Sequence, residues 1–288
     1  MREQATTRTM EIKLAHSPDS DDAFMFYALA TNKVRTDGMK FTHVLADIET
    51  LNRAADQETY DVTAVSFASY PYLKDKYALL DCGASFGEGY GPLVVSQHPI
   101  AKTDLAGKSV GVPGLRTTAF LTLKLFEPNV NPVVIPFDKI VDAVRDGTVQ
   151  AGLLIHEGQL MFPQAGLHRV VDLGQWWQEQ YGMPLPLGGN AVRRALGTDV
   201  ARRIAHAIRE SVSYALEHRD EALNYAMQFA RDMETDVADK FVGMYVNKWT
   251  LGYGAQGRKA VRELLKRGAD AGLVPSAGKI DFIGADAD

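Results

Sequence analysis

The chain has 288 residues, of which 46% are hydrophobic and 23% are charged, and its formal net charge is -5. This composition is typical of a globular protein, and the length exceeds that of most single hydrophobic cores, so we expect two domains with a cleft between them. The negative charge gives no reason to expect a nucleic-acid partner. Without an 18-residue apolar run, no membrane partner is expected either.

The single cysteine and the N-terminal residues both bear on localisation. Cys82 cannot form an intramolecular disulfide, which is typical of a reducing compartment. Residues 1–18 lack the apolar core of a secretory signal. We therefore expect a cytoplasmic protein, and the sequence leaves monomer and homodimer open as its oligomeric state.

The first part of the chain predicts alternating strands and helices. A strand at residues 12–15 leads into a polar loop that carries Asp19, Asp21 and Asp22. Ser20, Asp21 and Asp22 are each good N-caps for the next helix, and capping is favoured over a divalent-metal site because no further ligand spacing follows. The other predicted elements are a helix at 23–34, a strand at 41–45, a helix at 47–57 and a strand at 60–66.

From residue 108 the same order of elements repeats. The predicted elements are a strand at 109–112, a helix at 117–126, a strand at 133–136, a helix at 137–146 and a strand at 153–155. Both parts therefore read βαβαβ, and Ser66 and His156 follow corresponding strands. Because open α/β sheets bind ligands outside the carboxyl ends of their strands, we expect Ser66 and Thr117 on opposite walls of one cleft.

Two irregular stretches predict the connections between the lobes. Residues 87–96 are glycine-rich and then apolar, and residues 183–192 contain two prolines and two glycines that exclude a regular helix. After residue 198 the apolar spacing predicts helices that pack on the first lobe. The predicted domains are residues 1–95 with 190–288, a larger α/β lobe with the C-terminal helices, and residues 96–189, a smaller α/β lobe.

His156 is the leading candidate for a catalytic residue. It follows a buried strand, and a neutral histidine with a pKa near 6.5 can accept a proton at neutral pH. A structural histidine that hydrogen-bonds a loop is the alternative. Glu157 alternates to the other side of the backbone, so it is not expected to orient the ring. His16, at another strand end, is the second candidate base.

The turn before residue 118 predicts an anion site. Thr117 and Thr118 place hydroxyls at a helix N-terminus, where N–H groups lack partners, and Arg116 adds a positive charge. Plain N-capping explains both threonines equally well. No nucleophile elbow, zinc-protease, phosphate-loop or dinucleotide motif occurs, which disfavours those enzyme classes. Four further residues either line a wall for a flat ligand or belong to the core: Met161, Trp176, Trp177 and Tyr181.

Seven stretches of the sequence together resemble one enzyme family. They are SPDSDDAFMFYAL (17–29), DIETLN (47–52), GPLVV (91–95), RTTAF (116–120), LLIHEG (153–158), VVDLGQWW (170–177) and LPLG (185–188). They are similar to the 1,4-dihydroxy-6-naphthoate synthase family, which acts on cyclic dehypoxanthine futalosine in a route to menaquinone. Two departures stand out. At residues 19–22 the family usually has Cys-Pro-Asn-Asp, whereas this chain has Asp-Ser-Asp-Asp. At position 64 the family often has lysine, whereas this chain has alanine.

The resemblance implies a fold, a reaction and a set of contacts. The fold is that of type II periplasmic binding proteins, an α/β fold with two lobes, a central cleft and two hinge crossings. The reaction is a lyase step without metal or redox cofactor, in which His156 accepts a proton and carbon-carbon cleavage releases a sugar-derived fragment. Chorismate dehydratase and a non-catalytic binding protein for small organic acids stay open as alternatives. The implied substrate is a small-molecule carboxylate, with contacts predicted at Ser17, Asn52, Ala64, Val65, Ser66, Thr117, Thr118 and Ala119.

Overall fold

The structure, a computed structural model, describes residues 9–230 and 233–284 of the chain. Its strands, numbered in chain order, are β1 (Met10–His16), β2 (Met39–Leu45), β3 (Val62–Ser66), β4 (Tyr77–Leu80), β5 (Ser85–Gly87), β6 (Leu93–Ser96), β7 (Ser109–Val112), β8 (Asn131–Val134), β9 (Ala151–Leu154), β10 (His168–Asp172), β11 (Leu185–Arg193) and β12 (Phe282–Ile283).

The helices, also numbered in chain order, are α1 (Ser20–Met25), α2 (Tyr27–Ala30), α3 (Ile48–Ala55), α4 (Tyr70–Leu73), α5 (Thr118–Phe126), α6 (Ile140–Arg145), α7 (Gly158–Met161), α8 (Leu173–Tyr181), α9 (Thr198–Glu217), α10 (Arg219–Ala226), α11 (Thr235–Tyr245), α12 (Lys248–Leu251) and α13 (Gly254–Asp270). None of these helices, within the described ranges, combines the length and the apolar character that crossing a membrane requires.

The first sheet has the strand order β12-β4-β11-β3-β1-β2, and β5 pairs with β11. β1 is parallel to β2 and β3, whereas β11 is antiparallel to β3, β4 and β5. Val62 and Val65 of β3 are fully buried, which agrees with the apolar run that predicted this strand. Because β1 and β3 are parallel neighbours, the residues that follow them lie at the same edge of the sheet.

The second sheet repeats the central part of the first. Its strand order is β10-β6-β9-β7-β8, with β7 parallel to both β8 and β9. The order β9-β7-β8 matches the order β3-β1-β2, as the repeated βαβαβ pattern predicts. The loop after β9 and the loop after β3 therefore occupy corresponding positions in the two lobes.

The chain crosses between the sheets twice, but the extended second crossing predicted at residues 183–192 is wrong, because most of that stretch is β11 and the connection is the helix α8. It leaves the first sheet after β5 and enters the second at β6, and it returns from β10 through α8 to β11. The predicted lobe boundaries at residues 95/96 and 189/190 fall inside β6 and β11, so they differ from the observed changes of sheet at residues 88–92 and 173–184. The difference arises because each crossing runs directly into a strand of the sheet that it enters.

The two crossings touch where Gly91 faces Gly174. A Cβ atom on Gly91 would lie 2.9 Å from the Cα of Gly174, and one on Gly174 would overlap the carbonyl oxygen of Tyr90. No side chain fits at either position. The two glycines therefore allow the crossings to pack backbone against backbone.

The prediction of one continuous helix at residues 23–34 is wrong. The structure has two shorter helices here, α1 and α2, and the second ends at Ala30. The side chain of Ser211 enters the break. Its hydroxyl donates to the carbonyl of Met25 (2.9 Å) and accepts from the N–H of Leu29 (3.2 Å). This hydroxyl takes the place of the helical bond between those two residues, which kinks the helix.

The C-terminal helices pack on the first lobe, as predicted, with α9 against α1 and α2 and α13 against β11. The aromatic residues of α8 belong to the core. Trp177 is fully buried, and its ring lies against Trp176 and Tyr181. Met161 packs against a separate small apolar cluster that includes Met233. The structure thus supports core packing, and none of these four residues lines the main cavity.

Candidate active site

A cavity that is partly open to solvent lies between the two lobes. Small-molecule sites often lie at such interfaces between domains. The first lobe contributes the ends of β1 and β3 and part of α11, and the second contributes the start of α5 and the turn after β9. The lining residues are Ser17, Asp19, Asp21, Asp22, Ile48, Ala64, Val65, Ser66, Gly83, Ser85, Pro92, Thr117, Thr118, Ala119, Ile155, His156, Gln159, Leu187, Gly188, Gly189, Asn190, Phe241 and Tyr245.

The structure brings most of the predicted site residues to this cavity, with Ser66 from the first lobe and Thr117 from the second. Asn52 is the exception, since it is fully buried and does not line the cavity. Its side-chain nitrogen donates to Ser66 Oγ (3.1 Å), and its oxygen accepts from the Ser66 N–H (2.8 Å). Asn52 therefore holds Ser66 in place. The predicted residues that line the cavity are His156, Ser17, Ala64, Val65, Ser66, Thr117, Thr118 and Ala119.

His156 lies in a tight turn directly after β9. Its φ angle is 51°, in the left-handed region that costs energy for a residue other than glycine. Gln159 holds this turn: its N–H donates to the His156 carbonyl (3.2 Å). The side-chain amide of Gln159 fits best in the orientation that makes two further bonds. In that orientation its nitrogen donates to the Gly91 carbonyl (2.7 Å), and its oxygen accepts from the His156 N–H (3.3 Å). The edge of the Phe137 ring packs against the imidazole, with the centroids 4.9 Å apart.

The imidazole of His156 meets a carboxylate from the other lobe. Its Nδ1 lies 2.8 Å from Oδ2 of Asp19, and the side chains of Asp19 and His156 are 5% and 17% exposed. Asp19 is the N-cap of α1 and accepts from the N–H of Asp22 (3.4 Å). The cap predicted at Ser20, Asp21 or Asp22 is wrong in position, because α1 begins at Ser20 and these three residues lie within the helix. The Asp19 side chain therefore caps a helix and contacts the imidazole across the cleft. We call the pair Asp19 and His156 the imidazole corner.

Of the three aspartates in this loop, Asp19 ionises most readily. Burial opposes its ionisation, but the charge and hydrogen bond of His156, together with hydrogen bonds from Asp21 and the Asp22 backbone, outweigh burial and lower the pKa of Asp19. Burial, followed by the charge of Asp19, raises the pKa of Asp21 well above its usual value and the pKa of Asp22 to about 8. Burial also acts to lower the pKa of His156, yet the charge and hydrogen bond of Asp19, together with the charges of Glu157 and Asp22, outweigh burial and raise this pKa above 6.5.

A second corner of the cavity presents neutral hydroxyls. The Thr118 hydroxyl accepts from the N–H of Ala68 (3.1 Å), which links the two lobes, and Ser66 lies on the cavity wall before Ala68. Since both oxygens accept a hydrogen bond, each hydroxyl hydrogen is available to a ligand. The first N–H groups of α5 also point out of the helix here. We call Ser66, Ala68 and Thr118 the hydroxyl corner.

Thr117 and Arg116 make other contacts. The Thr117 hydroxyl donates to the Gly114 carbonyl (2.9 Å) and accepts from the Phe120 N–H (3.2 Å), so Thr117 is the N-cap of α5. The guanidinium of Arg116 binds both carboxylate oxygens of Asp56 at 2.9 and 2.8 Å. Arg116 does not line the cavity, so the predicted positive charge of the anion site is absent from its lining.

His16 lies outside the main cavity. Its ring borders a second cavity of about 270 Å³, where its Nε2 lies 3.0 Å from Nδ1 of His43. Burial, and then the neighbouring His43, lower the pKa of His16 to about 4. His16 is therefore a neutral, buried histidine that does not face the main cavity, which weakens its position as the second candidate base.

Sequence reasoning missed residues that reach the cavity from distant parts of the chain. Tyr245 of α11 is buried, and its hydroxyl lies 2.6 Å from the side-chain amide of Gln159. Burial raises the pKa of Tyr245 well above its usual value. Asn190 of β11 also lines the cavity and donates to the Gly83 carbonyl (2.7 Å). In the sequence, Tyr245 and Asn190 stand out only as polar residues within otherwise apolar segments, which does not predict that they reach the cavity.

One group of side chains could hold a metal ion. Ligand atoms of Asp19, Asp21 and His156 lie within 4.8 Å of one another, the only such group found in residues 9–230 and 233–284. Two buried carboxylates and an imidazole are also compatible with a hydrogen-bonded cluster, in which Asp21 bonds to Asp19 and Asp19 to His156. The expectation of a metal-free site stays a prediction.

Comparison with known proteins identifies relatives across nearly the whole chain. A family model described as menaquinone biosynthesis matches residues 12–270. Two curated relatives, both named 1,4-dihydroxy-6-naphtoate synthase, are each 40% identical. The Streptomyces coelicolor relative aligns over 273 residues, 93% of this chain and 96% of the relative. The Thermus thermophilus relative aligns over 272 residues, 94% of this chain and 99% of the relative.

Solved structures share the architecture. A crystal structure of an Archaeoglobus fulgidus protein is 46% identical, with a TM-score of 0.88 over 94% of this chain and all of that chain. A Candida albicans protein, described as having the generic periplasmic binding protein fold, is 13% identical with a TM-score of 0.66 over 96% of this chain and 99% of that chain. The predicted two-lobed fold is confirmed. The match over residues 12–270 and the 40% identical relatives show that the chain belongs to the menaquinone biosynthesis family.

Proposed function

We propose that the chain is a 1,4-dihydroxy-6-naphthoate synthase, a lyase that converts cyclic dehypoxanthine futalosine to 1,4-dihydroxy-6-naphthoate. Two relatives with this name are each 40% identical and align with nearly their whole length. The cavity between the lobes is lined by polar and apolar groups from both lobes, as is typical of small-molecule sites at domain interfaces. The ligand is a small-molecule carboxylate.

His156 is the general base of this reaction. The observation that carries this role is its place on the cavity wall in a left-handed backbone conformation, since strained residues cluster at active sites. A base here removes a proton from the substrate, carbon-carbon cleavage releases the sugar-derived fragment, and formation of the aromatic naphthoate favours the products. General bases contribute about 10²- to 10⁴-fold to a rate.

The hydroxyl corner binds the substrate carboxylate. The hydroxyls of Ser66 and Thr118 can each donate a hydrogen bond to an anion, and the first turn of α5 adds N–H groups and a partial positive charge. The lobes contact each other around the cavity, for example through Ala68 and Thr118. Closure of the lobes would therefore exclude water from the reacting groups.

We also propose that the enzyme acts in the cytoplasm, as a monomer or a homodimer. The single cysteine, Cys82, supports a reducing compartment. Fractionation of cells that produce the protein, followed by light scattering of the purified chain, tests both proposals. Recovery of the protein outside the cytoplasm would overturn the first.

The function is tested by incubating the purified protein separately with cyclic dehypoxanthine futalosine and with chorismate, and analysing products by mass spectrometry. We expect the naphthoate from the first incubation and unchanged chorismate in the second. Dehydration of chorismate would instead identify a chorismate dehydratase. Binding of a small organic acid without turnover of either compound would support the non-catalytic alternative.

A further inference from the structure

The imidazole corner is formed by two residues that only the closed arrangement of the lobes brings together. Asp19 follows β1 in the first lobe, and His156 follows β9 in the second. Their Oδ2 and Nδ1 atoms are 2.8 Å apart, which is a short, charge-assisted hydrogen-bond distance. Rotation of the lobes away from each other would break this contact.

The environment of Asp19 directs its carboxylate at the imidazole. Oδ1 of Asp19 accepts from the Asp22 N–H, which leaves Oδ2 for His156. The carboxylate of Asp22 points elsewhere and accepts from the Ser17 N–H (2.8 Å). The backbone of its own loop thus holds the Asp19 carboxylate in a position where it can bind His156 of the opposite lobe.

The hydrogen bond determines which imidazole nitrogen can act as a base. An ionised carboxylate only accepts hydrogen bonds, so Nδ1 of His156 must carry the hydrogen that Asp19 binds. The other nitrogen, Nε2, then keeps its lone pair and can accept a proton from the substrate. The lowered pKa of Asp19 agrees with an ionised carboxylate at neutral pH.

We propose that Asp19 is the positioning residue of His156, because its carboxylate, brought across the cleft by lobe closure, fixes the ring orientation and the tautomer that presents Nε2 to the substrate. This inference rests on the proposed function, in which His156 is the base. The carboxylate of Asp19 belongs to the lobe opposite His156 and reaches the imidazole only when the lobes are closed. The base is therefore fully active only when the substrate is enclosed.

The pH dependence of turnover reports on this pair. The titratable groups around His156 are Asp19, Glu157 and Asp22, each of which acts to raise its pKa, and Asp21, which bonds to Asp19. Asp19 has the largest effect among the charged groups. Removing its charge should therefore lower the pKa of His156 and move the acidic limb of kcat/KM to lower pH.

The test is the variant Asp19→Asn, because asparagine caps a helix as well as aspartate does but carries no charge. We expect kcat to fall by about 10- to 100-fold, part of the contribution of a general base, with little change in KM. The acidic limb of kcat/KM should also shift to lower pH. The matched control is Asp47→Asn, which makes the same change at the N-cap of α3, where Asp47 accepts from the Thr50 N–H (3.0 Å). The control should keep both kcat and the pH profile.

A second measurement does not depend on how the variant folds. In the wild-type protein with ¹⁵N-labelled histidine, the His156 signals should show a protonated Nδ1 and an unprotonated Nε2 once a substrate analogue closes the lobes. The opposite tautomer in the closed protein would overturn the inference.

Other outcomes separate the inference from the proposed function. Wild-type kcat and an unshifted acidic limb in Asp19→Asn would show that Asp19 only caps α1. A divalent ion that is bound stoichiometrically by the wild type, lost from Asp19→Asn and required for turnover would show that Asp19 is a metal ligand instead. If His156→Asn keeps full turnover, the proposed base is wrong whatever Asp19 does. If His156→Asn is inactive and Asp19→Asn is normal, only the inference fails.

Discussion

The two corners of the cleft correspond in the fold but differ in charge. In each, the residues after a strand of one lobe meet the start of a helix of the other lobe. His156 after β9 meets Asp19 before α1, and Ala68 after β3 meets Thr118 at the start of α5. The imidazole corner contains a carboxylate and an ionisable ring, whereas the hydroxyl corner contains the neutral hydroxyls of Ser66 and Thr118 and the N–H group of Ala68.

The difference shows how one repeated backbone arrangement supports two kinds of chemistry. Carboxylates beside the imidazole disfavour an anionic ligand there and favour proton transfer. Neutral donors at a helix N-terminus favour an anion. We therefore assign proton transfer to the imidazole corner and binding of the carboxylate to the hydroxyl corner, and the following substitutions test that division.

The largest effect is expected from His156→Asn, which removes the base. We predict that kcat falls by about 10²- to 10⁴-fold while the free energy of unfolding changes by no more than roughly 1 to 2 kcal/mol. Asparagine tolerates the left-handed conformation of this residue, so the turn should persist. Steady-state kinetics and denaturant unfolding measure both quantities.

The control for this substitution is His16→Asn, because His16 is also a buried histidine at a strand end but borders the second cavity. Its turnover per folded molecule should stay at the wild-type level. Equal losses in both variants, or a loss in His156→Asn that follows the folded fraction, would indicate a structural role for His156.

The pH dependence of the wild-type enzyme should reflect the raised pKa of His156. The base must be neutral to accept a proton, so kcat/KM should fall as the pH drops through this pKa. Because the pKa is raised, the fall should begin above pH 6.5, with about tenfold less activity for each unit below the pKa. An acidic limb centred below pH 6.5 would contradict the influence of Asp19 on the ring.

A smaller effect on a different parameter is expected at the hydroxyl corner. Thr118→Val removes a donor to the substrate carboxylate, and hydrogen bonds to charged groups contribute about 1.5 to 3 kcal/mol, so KM should rise at least about tenfold. The value of kcat should change less, because the contact is made equally in the ground state and the transition state.

Thr122→Val is the matched control, since Thr122 is a buried threonine of the same helix whose hydroxyl donates to the Thr118 carbonyl rather than to the cavity. It should leave KM nearly unchanged. If Thr118→Val lowers kcat and leaves KM unaltered, the hydroxyl corner takes part in the chemical step and the division between the corners is incorrect.

The smallest effect is expected at the outer edge of the cleft. Arg116 and Asp56 join the lobes, but their side chains are 25% and 32% exposed, so this ion pair contributes about 1 kcal/mol at most. Arg116→Gln should therefore raise KM by no more than about fivefold and leave kcat unchanged. Arg145→Gln, which breaks an exposed pair with Asp142 inside the second lobe, is the control. A tenfold or larger fall in kcat would show that Arg116 acts on the reaction.

The sequence predicted the parts of the site that depend on local order. Strand ends and helix starts follow from apolar runs and capping residues, and these features correctly predicted that Ser66, Thr117 and His156 border one cleft. Local pattern was sufficient because parallel βαβ units bring strand ends to a common edge.

Contacts between distant residues could not be predicted in this way. Asp19 and His156 meet only because two lobes face each other, and no spacing in the sequence encodes that pairing. The split of the first helix depends on Ser211, a residue of α9 that pattern alone does not bring to α1. Tyr245 reaches the cavity from α11 for the same reason, since its place depends on how the C-terminal helices pack.

The contact between Gly91 and Gly174 has a consequence for how the enzyme could be altered. A hinge acts as a lever, so a small displacement near its axis becomes a larger displacement at the far ends of the lobes. A methyl group on Gly174 would overlap the Tyr90 carbonyl and force the crossings apart. Both the imidazole corner and the hydroxyl corner would then be displaced at the same time, although neither is near Gly174 in sequence. Laboratory evolution of this chain should therefore accept substitutions in the cavity wall far more readily than any substitution at these two glycines.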